Sequence, residues 1–286
     1  MTEDSTAYGR QKQAIETAFG AWKDENHPDL KTPEDTLKYV RHIRNIANER
    51  AMKYKAVIFD LYGTLVGNFS LKLHEAVLKR MAGIVGAPPD DFVRLWFASY
   101  EDRATGRIAT PEDNIEHICR QLGIAVEEAK VQEAAKVRYE FTRTGLKPWP
   151  DSLEVLSRLK ALGYKLALIS DCSGETPASW EQTPFAALMD ASVFSCSVGI
   201  KKPDPRIFLQ AAEQLDVKPE ECLYVGDGSS QELTGASAVG MHPVMIRSPL
   251  ETPDAHRIHE EDWDGPRISS LTEVLKLVSE DATTDD

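Results

Sequence analysis

Val57-Ile58-Phe59-Asp60-Leu61-Tyr62-Gly63-Thr64-Leu65 reads as a strand that ends in a carboxylate. Its apolar residues are continuous and not alternating, which predicts a strand buried on both faces. Lys53, Tyr54 and Lys55 lead into it, and a turn follows at Gly63. Ligands of open α/β sheets bind at the carboxyl ends of the strands, where Asp60 falls. A carboxylate there serves as a metal ligand, a nucleophile or a cap for the next helix. The segment by itself leaves all three open.

Three later segments narrow the choice. Lys165-Leu166-Ala167-Leu168-Ile169-Ser170-Asp171 is a second apolar strand, ending in a hydroxyl. Gly199-Ile200-Lys201-Lys202-Pro203-Asp204-Pro205 is a basic turn ahead of a helical stripe at Ile207, Phe208, Ala211, Ala212 and Leu215. Cys222-Leu223-Tyr224-Val225-Gly226-Asp227-Gly228 is a strand ending in Gly-Asp, with Glu232 close behind. In chain order these supply a carboxylate, a hydroxyl, a lysine and an acidic pair.

The order resembles the four motifs of the haloacid dehalogenase superfamily of hydrolases, over roughly residues 53–280. The resemblance implies that Asp60 is the nucleophile, that Ser170 and Lys202 bind the phosphoryl group beside Asp171, and that Asp227 and Glu232 form the acidic pair of a metal site. It also implies magnesium held by Asp60, Asp227 and a backbone carbonyl near Tyr62, and an aspartyl-phosphate on Asp60. The chemistry accounts for these residue types. A phosphate ester is a poor electrophile shielded by negative charge, so a carboxylate attacks only once that charge is neutralised. A metal ion, a lysine point charge and hydroxyl or amide donors do this.

Three positions depart from the pattern. Phosphatases of this family carry Asp two residues after the nucleophile, as acid and then base. Here that residue is Tyr62, and a phenol with a pKa of about 10 is a poor base at neutral pH. Tyrosine there is similar to the metal-free 2-haloacid dehalogenase branch. Glu232 stands where Asp is usual. Asp171 follows the motif-two hydroxyl where Asn is usual. Asp171 or Glu175 is a candidate replacement for the missing acid/base, although a turn-capping role is expected for Asp171. Motif four favours the phosphatase, because a second carboxylate near Asp60 is costly without a cation between them.

The formal charge of −13 disfavours nucleic acid as a partner, since phosphate backbones need a basic face. Small anions need only a few local cations. No apolar run approaches membrane-spanning length, and Met1-Thr2-Glu3-Asp4 lacks the basic and apolar regions of a signal peptide, so the cytoplasm is expected. The cysteines at 119, 172, 196 and 222 show no zinc spacing. Cys222 is expected in a strand and Cys172 as lining or structure. His256 and His259 are expected on a solvated surface.

The chain divides into an N-terminal helical extension (1–52), an α/β core (53–69 and 148–286) and a helical insertion (70–147) that resembles the family's cap. Helix starts are expected at Thr32-Pro33-Glu34-Asp35 and Thr110-Pro111-Glu112-Asp113. The extension is a candidate packing or homodimer contact. Hinges are expected at Gly67-Asn68-Phe69 and Thr144-Gly145-Leu146-Lys147-Pro148. Trp96, Phe97 and Tyr100 are expected in the cap core and Trp180 at the substrate entrance. Arg103 and Arg107, in a loop around Thr105-Gly106, are expected on the surface, with a position facing the active site as the alternative. Strands near 55–60, 165–170, 191–197, 222–227 and 242–247, alternating with helices, predict a doubly wound parallel sheet with a Rossmann-like core.

The leading expectation is a magnesium-dependent hydrolase of a small phosphorylated metabolite. A metal-free 2-haloacid dehalogenase is the alternative, supported by Tyr62 and opposed by Asp227 and Glu232. A weakly active or inactive ligand-binding homologue is the third.

Overall fold

The computed structural model describes residues 52–251, 253–255, 257 and 260–280, together with Asp35 and Lys38. Asp35 and Lys38 are helical. The rest of the expected N-terminal extension lies outside the described residues, as do His256 and His259.

Strand β1 (Ala56–Phe59) is buried along its whole length and is flanked by β2 (Lys165–Ser170) and β4 (Cys222–Gly226). A helical insertion separates β1 from β2. It consists of α1 (Leu71–Val85), α2 (Pro89–Ala98), α3 (Tyr100–Ala104), α4 (Pro111–Gln121) and α5 (Glu128–Gly145). Beyond it α6 (Ser152–Ala161) precedes β2, and α7 (Glu175–Trp180) follows it. The chain continues through β3 (Ala191–Phe194), α8 (Ser195–Val198), α9 (Pro205–Gln214), β4, α10 (Glu232–Ala238), β5 (His242–Ile246), β6 (Arg267–Ile268) and α11 (Thr272–Glu280).

The six strands are parallel, in the order β3-β2-β1-β4-β5-β6. The order reverses beside β1, which sets the carboxyl ends of β1, β2 and β4 around one crevice. This is the doubly wound sheet expected from the sequence, with two changes. Residues 195–198 leave the sheet as a helical turn closed by the left-handed Gly199. A sixth strand, only two residues long, pairs with Met245 and Ile246.

Local chemistry fixes the insertion's helices. Ser70 accepts from the Leu73 amide at the start of α1. Thr110 and Asp113 form the reciprocal capping box expected at the start of α4. The insertion has its own core, built on Leu78, Met81, Phe92, Trp96, Ile118 and Val131. A separate core on one face of the sheet includes Ile58, Ile169, Phe208 and Tyr224.

The two chain crossings between sheet and insertion are tied together. Val66 bridges Pro148, and the Leu65 carbonyl accepts from both the Trp149 amide (3.1 Å) and Ser152 Oγ (2.7 Å). Further out, the insertion and the core meet backbone to backbone. Gly106 has φ +70°, and a Cβ on it would overlap the Cys196 carbonyl oxygen. A Cβ on Gly174 would likewise overlap the Ala109 carbonyl oxygen. Among the described residues no helix is long and apolar enough to cross a membrane.

Candidate active site

Asp60 follows β1 directly, and its amide donates to the Val225 carbonyl of the neighbouring strand (2.9 Å). That bond holds the carboxylate beside Asp227, the residue after β4. Lys202, 2 % exposed, sits between acids: its Nζ lies 2.6 Å from Asp60 Oδ1 and 2.5 Å from Glu232 Oε2. Asp60 Oδ2 accepts from Thr64 Oγ1 (3.1 Å). Oxygen atoms of Asp60, Asp227 and Glu232, all three buried, lie within 4.8 Å of one another.

Each acid of this cluster has a distinct set of donors. Glu232 is held by Tyr224 Oη (2.8 Å) and the Gly228 amide (2.9 Å) as well as by Lys202. Both of its oxygens are thereby engaged, so it is a second carboxylate anchor for Lys202 beside Asp60. Asp227 accepts from the Ser229 amide (2.9 Å), Asn68 Nδ2 (2.9 Å) and Arg257 Nε (3.1 Å). Arg257 also pairs with Glu251, and Asn68 donates to Glu251 (2.8 Å).

The charges do not balance. Among the described residues, Asp60, Asp171, Asp227 and Glu232 meet Lys202, Arg257, which is shared with Glu251, and, near Asp171, Lys201, which is shared with Glu101. Burial, reinforced by Asp227, pushes the Asp60 carboxyl up to about 6 despite Lys202. Burial and the neighbouring Asp60 hold Glu232 well above the usual carboxylate range. Crowded oxygen donors with excess negative charge suit a hard divalent cation such as magnesium. The residues present therefore fit the metal that motif four implies.

A cavity of about 560 Å³ opens from Asp60 and Lys202 toward the insertion. Asp171 lines it. Its Oδ1 accepts from the Lys202 amide (3.0 Å), so it caps that turn and not the one after β2. Among the described residues Asp171 Oδ2 and Ser170 Oγ are buried without a hydrogen-bond partner. Burial raises the Asp171 carboxyl. Glu175 is tied to Arg138 of α5 at 2.6 Å.

The Tyr62 phenol is paired with Thr176 Oγ1 (3.0 Å) and packs on Phe69, with ring centroids 4.8 Å apart. Burial pushes it far above its ordinary value, which disqualifies it as a base. Trp96 is in the insertion core as expected, Phe97 packs against that core and also lines the cavity, and Tyr100 lines the cavity. Arg103, expected on a surface loop, is 4 % exposed and lines the cavity from α3. Its three hydrogen-bond acceptors draw it inward. Arg107 is exposed and pairs with Asp102. Trp180, expected at the entrance, is buried in α7 and packs on Phe185 and Phe194. Cys172 lines the cavity, with its Sγ 3.9 Å from that of Cys196.

Asn68, Arg257 and Glu251 escaped the sequence reading. Asn68 sits in the expected hinge, and no local pattern ties Arg257 or Glu251 to Asp227.

The family model of haloacid dehalogenase-like hydrolases matches residues 54–240, and the chain belongs to that family. It is a hydrolase. Its relatives divide between two reactions. It is 34% identical over 172 residues to a glyceraldehyde 3-phosphate phosphatase of Methanopyrus kandleri, covering 57% of this chain and 72% of that protein. It is 28% identical over 237 residues to (S)-2-haloacid dehalogenase 4A of Burkholderia cepacia, covering 80% of this chain and 96% of that protein. Among solved structures, a HAD phosphatase from Thermococcus onnurineus superposes with a TM-score of 0.55 at 24% identity, over 78% of this chain and 97% of that one. This last likeness speaks for the fold alone.

Proposed function

We propose that this chain is a magnesium-dependent phosphatase of a small phosphorylated metabolite, acting through an aspartyl-phosphate on Asp60. One observation carries the reading: buried Asp227 stands against the nucleophile position, with oxygens of Asp60, Asp227 and Glu232 within 4.8 Å of one another. Asp60, Asp227 and the Tyr62 backbone carbonyl would hold the cation, with Glu232 engaged by Lys202, Tyr224 and Gly228. When bound, the cation offsets the charge of the phosphoryl group and of the carboxylates around it.

The chain's own residues supply the rest. Lys202 keeps Asp60 oriented and ionised and presents its charge to the phosphoryl oxygens. Ser170 Oγ, which lacks a protein partner, donates to the same oxygens. An Asp60 oxygen attacks phosphorus, the phosphorus–oxygen ester bond breaks, and its electron pair goes to the leaving oxygen. Asp171 supplies that oxygen's proton and later takes one from the water that attacks the aspartyl-phosphate. Asp171 suits this role better than Glu175, whose carboxylate is committed to Arg138.

One observation favours the alternative. Tyr62 and Phe69 line the cavity beside Asp60, an apolar surface suited to a haloalkyl group. The discriminating experiment measures phosphate release from a panel of phosphorylated metabolites with and without magnesium, alongside halide release from 2-chloropropionate. Magnesium-dependent phosphate release, lost in Asp60→Asn, is expected. Halide release insensitive to chelator would replace the phosphatase reading with the dehalogenase. Absence of both activities would favour a ligand-binding homologue.

A further inference from the structure

Among the described residues Arg103 is a buried cation with no carboxylate paired to it. Its Nη1 donates to Ser173 Oγ (2.6 Å), its Nη2 to the Trp96 carbonyl (2.9 Å) and its Nε to Ser99 Oγ (3.4 Å). All three acceptors are neutral. A guanidinium has five N–H bonds, so one remains on each terminal nitrogen. The nearby Glu175 is taken by Arg138 at 2.6 Å. Among the described residues Arg138 therefore holds the ion-paired carboxylate of this wall, Glu175, and Arg103 is left with neutral acceptors, while Glu75 lines the cavity from α1.

An uncompensated buried charge is costly, and a ligand anion of fitting shape offsets the cost. Desolvation pushes the Arg103 guanidinium down to about 10 even though Glu175 acts to raise it. The surroundings select among anions. Tyr100, the first residue of α3, lines the same cavity, and the Arg103 guanidinium lies 5.9 Å from its ring. Tyr100 lines this cavity together with Asp171 and Lys202 of the core. Phe97 adds an aromatic wall. This is a small two-ended chamber, with Asp60 and Lys202 on the core and Arg103 on the insertion.

We infer that Arg103, with Tyr100 beside it, binds a carboxylate on the leaving group, so that the favoured substrates are small phosphomonoesters carrying a carboxylate near the phosphate. The inference rests on the phosphatase reading for the identity of the leaving group. A planar guanidinium with two free N–H bonds matches the two oxygens of a carboxylate.

The test compares 2-phosphoglycolate with ethyl phosphate, which have the same chain length and differ in the carboxylate. Wild type is expected to prefer 2-phosphoglycolate by about 10- to 100-fold in kcat/KM, the range of a charge-assisted pair. Arg103→Met is expected to bring the ratio near one, and Arg103→Lys to cut it at least about fivefold, because a lysine lacks the fork. Thermal melting establishes that each variant is folded. A wild-type ratio within about threefold of one, or a preference unchanged in both variants, would overturn the inference. Should wild type release phosphate from neither ester, the metabolite panel decides the phosphatase reading, and calorimetric titration of Asp60→Asn with the same two compounds decides the carboxylate site. At least about tenfold tighter binding of 2-phosphoglycolate, lost on adding Arg103→Met, upholds the carboxylate site, and equal affinities refute it.

Discussion

The Lys202 ammonium lies 2.6 Å from Asp60 Oδ1, and both groups are buried. Its other contact, Glu232 Oε2, makes it the cation that joins two buried carboxylates. Removing one partner of a buried ion pair typically costs about 3–5 kcal/mol, because the other is left without compensation. Lys202→Met is expected to lose about that much stability in urea denaturation and to lose measurable turnover. A stable, active Lys202→Met would refute the clamp.

Glu232 carries a separable expectation. Its oxygens are engaged by Lys202, Tyr224 and the Gly228 amide. Glu232→Gln preserves the shape but removes the charge that steadies Lys202. A fall of about 10- to 100-fold in kcat is expected, with the magnesium concentration for half-maximal activity little changed. If that concentration rose more than about tenfold, Glu232 would be a metal ligand and not an anchor.

Asp60 links stability to pH. Its folded-state pKa of about 6 exceeds the ordinary value of 3.8, so between those values the folded protein binds more protons than the unfolded chain. Its stabilising contribution is complete below the unfolded value and is lost as pH rises through about 6. Asp60→Asn mimics the protonated acid. In chelator-treated protein it is expected to melt above wild type at neutral pH, with the gap narrowing as pH falls through about 6. Magnesium should raise the wild-type melting temperature at neutral pH and do so less where Asp60 holds its proton. A gap independent of pH would rule out this linkage.

The Tyr62 side chain is expected to matter little to the reaction. Burial holds the phenol protonated, and its hydroxyl is paired with Thr176 at 3.0 Å. Tyr62→Phe loses about 1 kcal/mol of stability with that bond, keeps kcat within about threefold and leaves the pH profile in place. An acidic or basic limb that vanished in Tyr62→Phe would make the phenol a proton carrier after all.

The sheet was legible in the sequence because strands buried on both faces read as unbroken apolar runs, as Val57 to Phe59 and Leu166 to Ile169 do. Strand β6 was not, since two residues have no periodicity and only pairing with Met245 and Ile246 makes them a strand. Asp60, Ser170 and Asp227 were marked by strand ends, and Lys202 by a basic turn ahead of a helical stripe. The flanking partners were not, because Asn68 and Arg257 reach Asp227 from 159 and 30 residues away. Arg103 misled in a different way. Its charge suggested solvent, whereas Ser173, Ser99 and the Trp96 carbonyl gave it buried acceptors.

The paired hydrogen bonds to the Leu65 carbonyl bring the outgoing and returning chains to a single point. The stretch between them therefore starts and finishes at one place on the sheet, so its length and shape can vary without moving the strand ends that carry Asp60, Ser170 and Asp227.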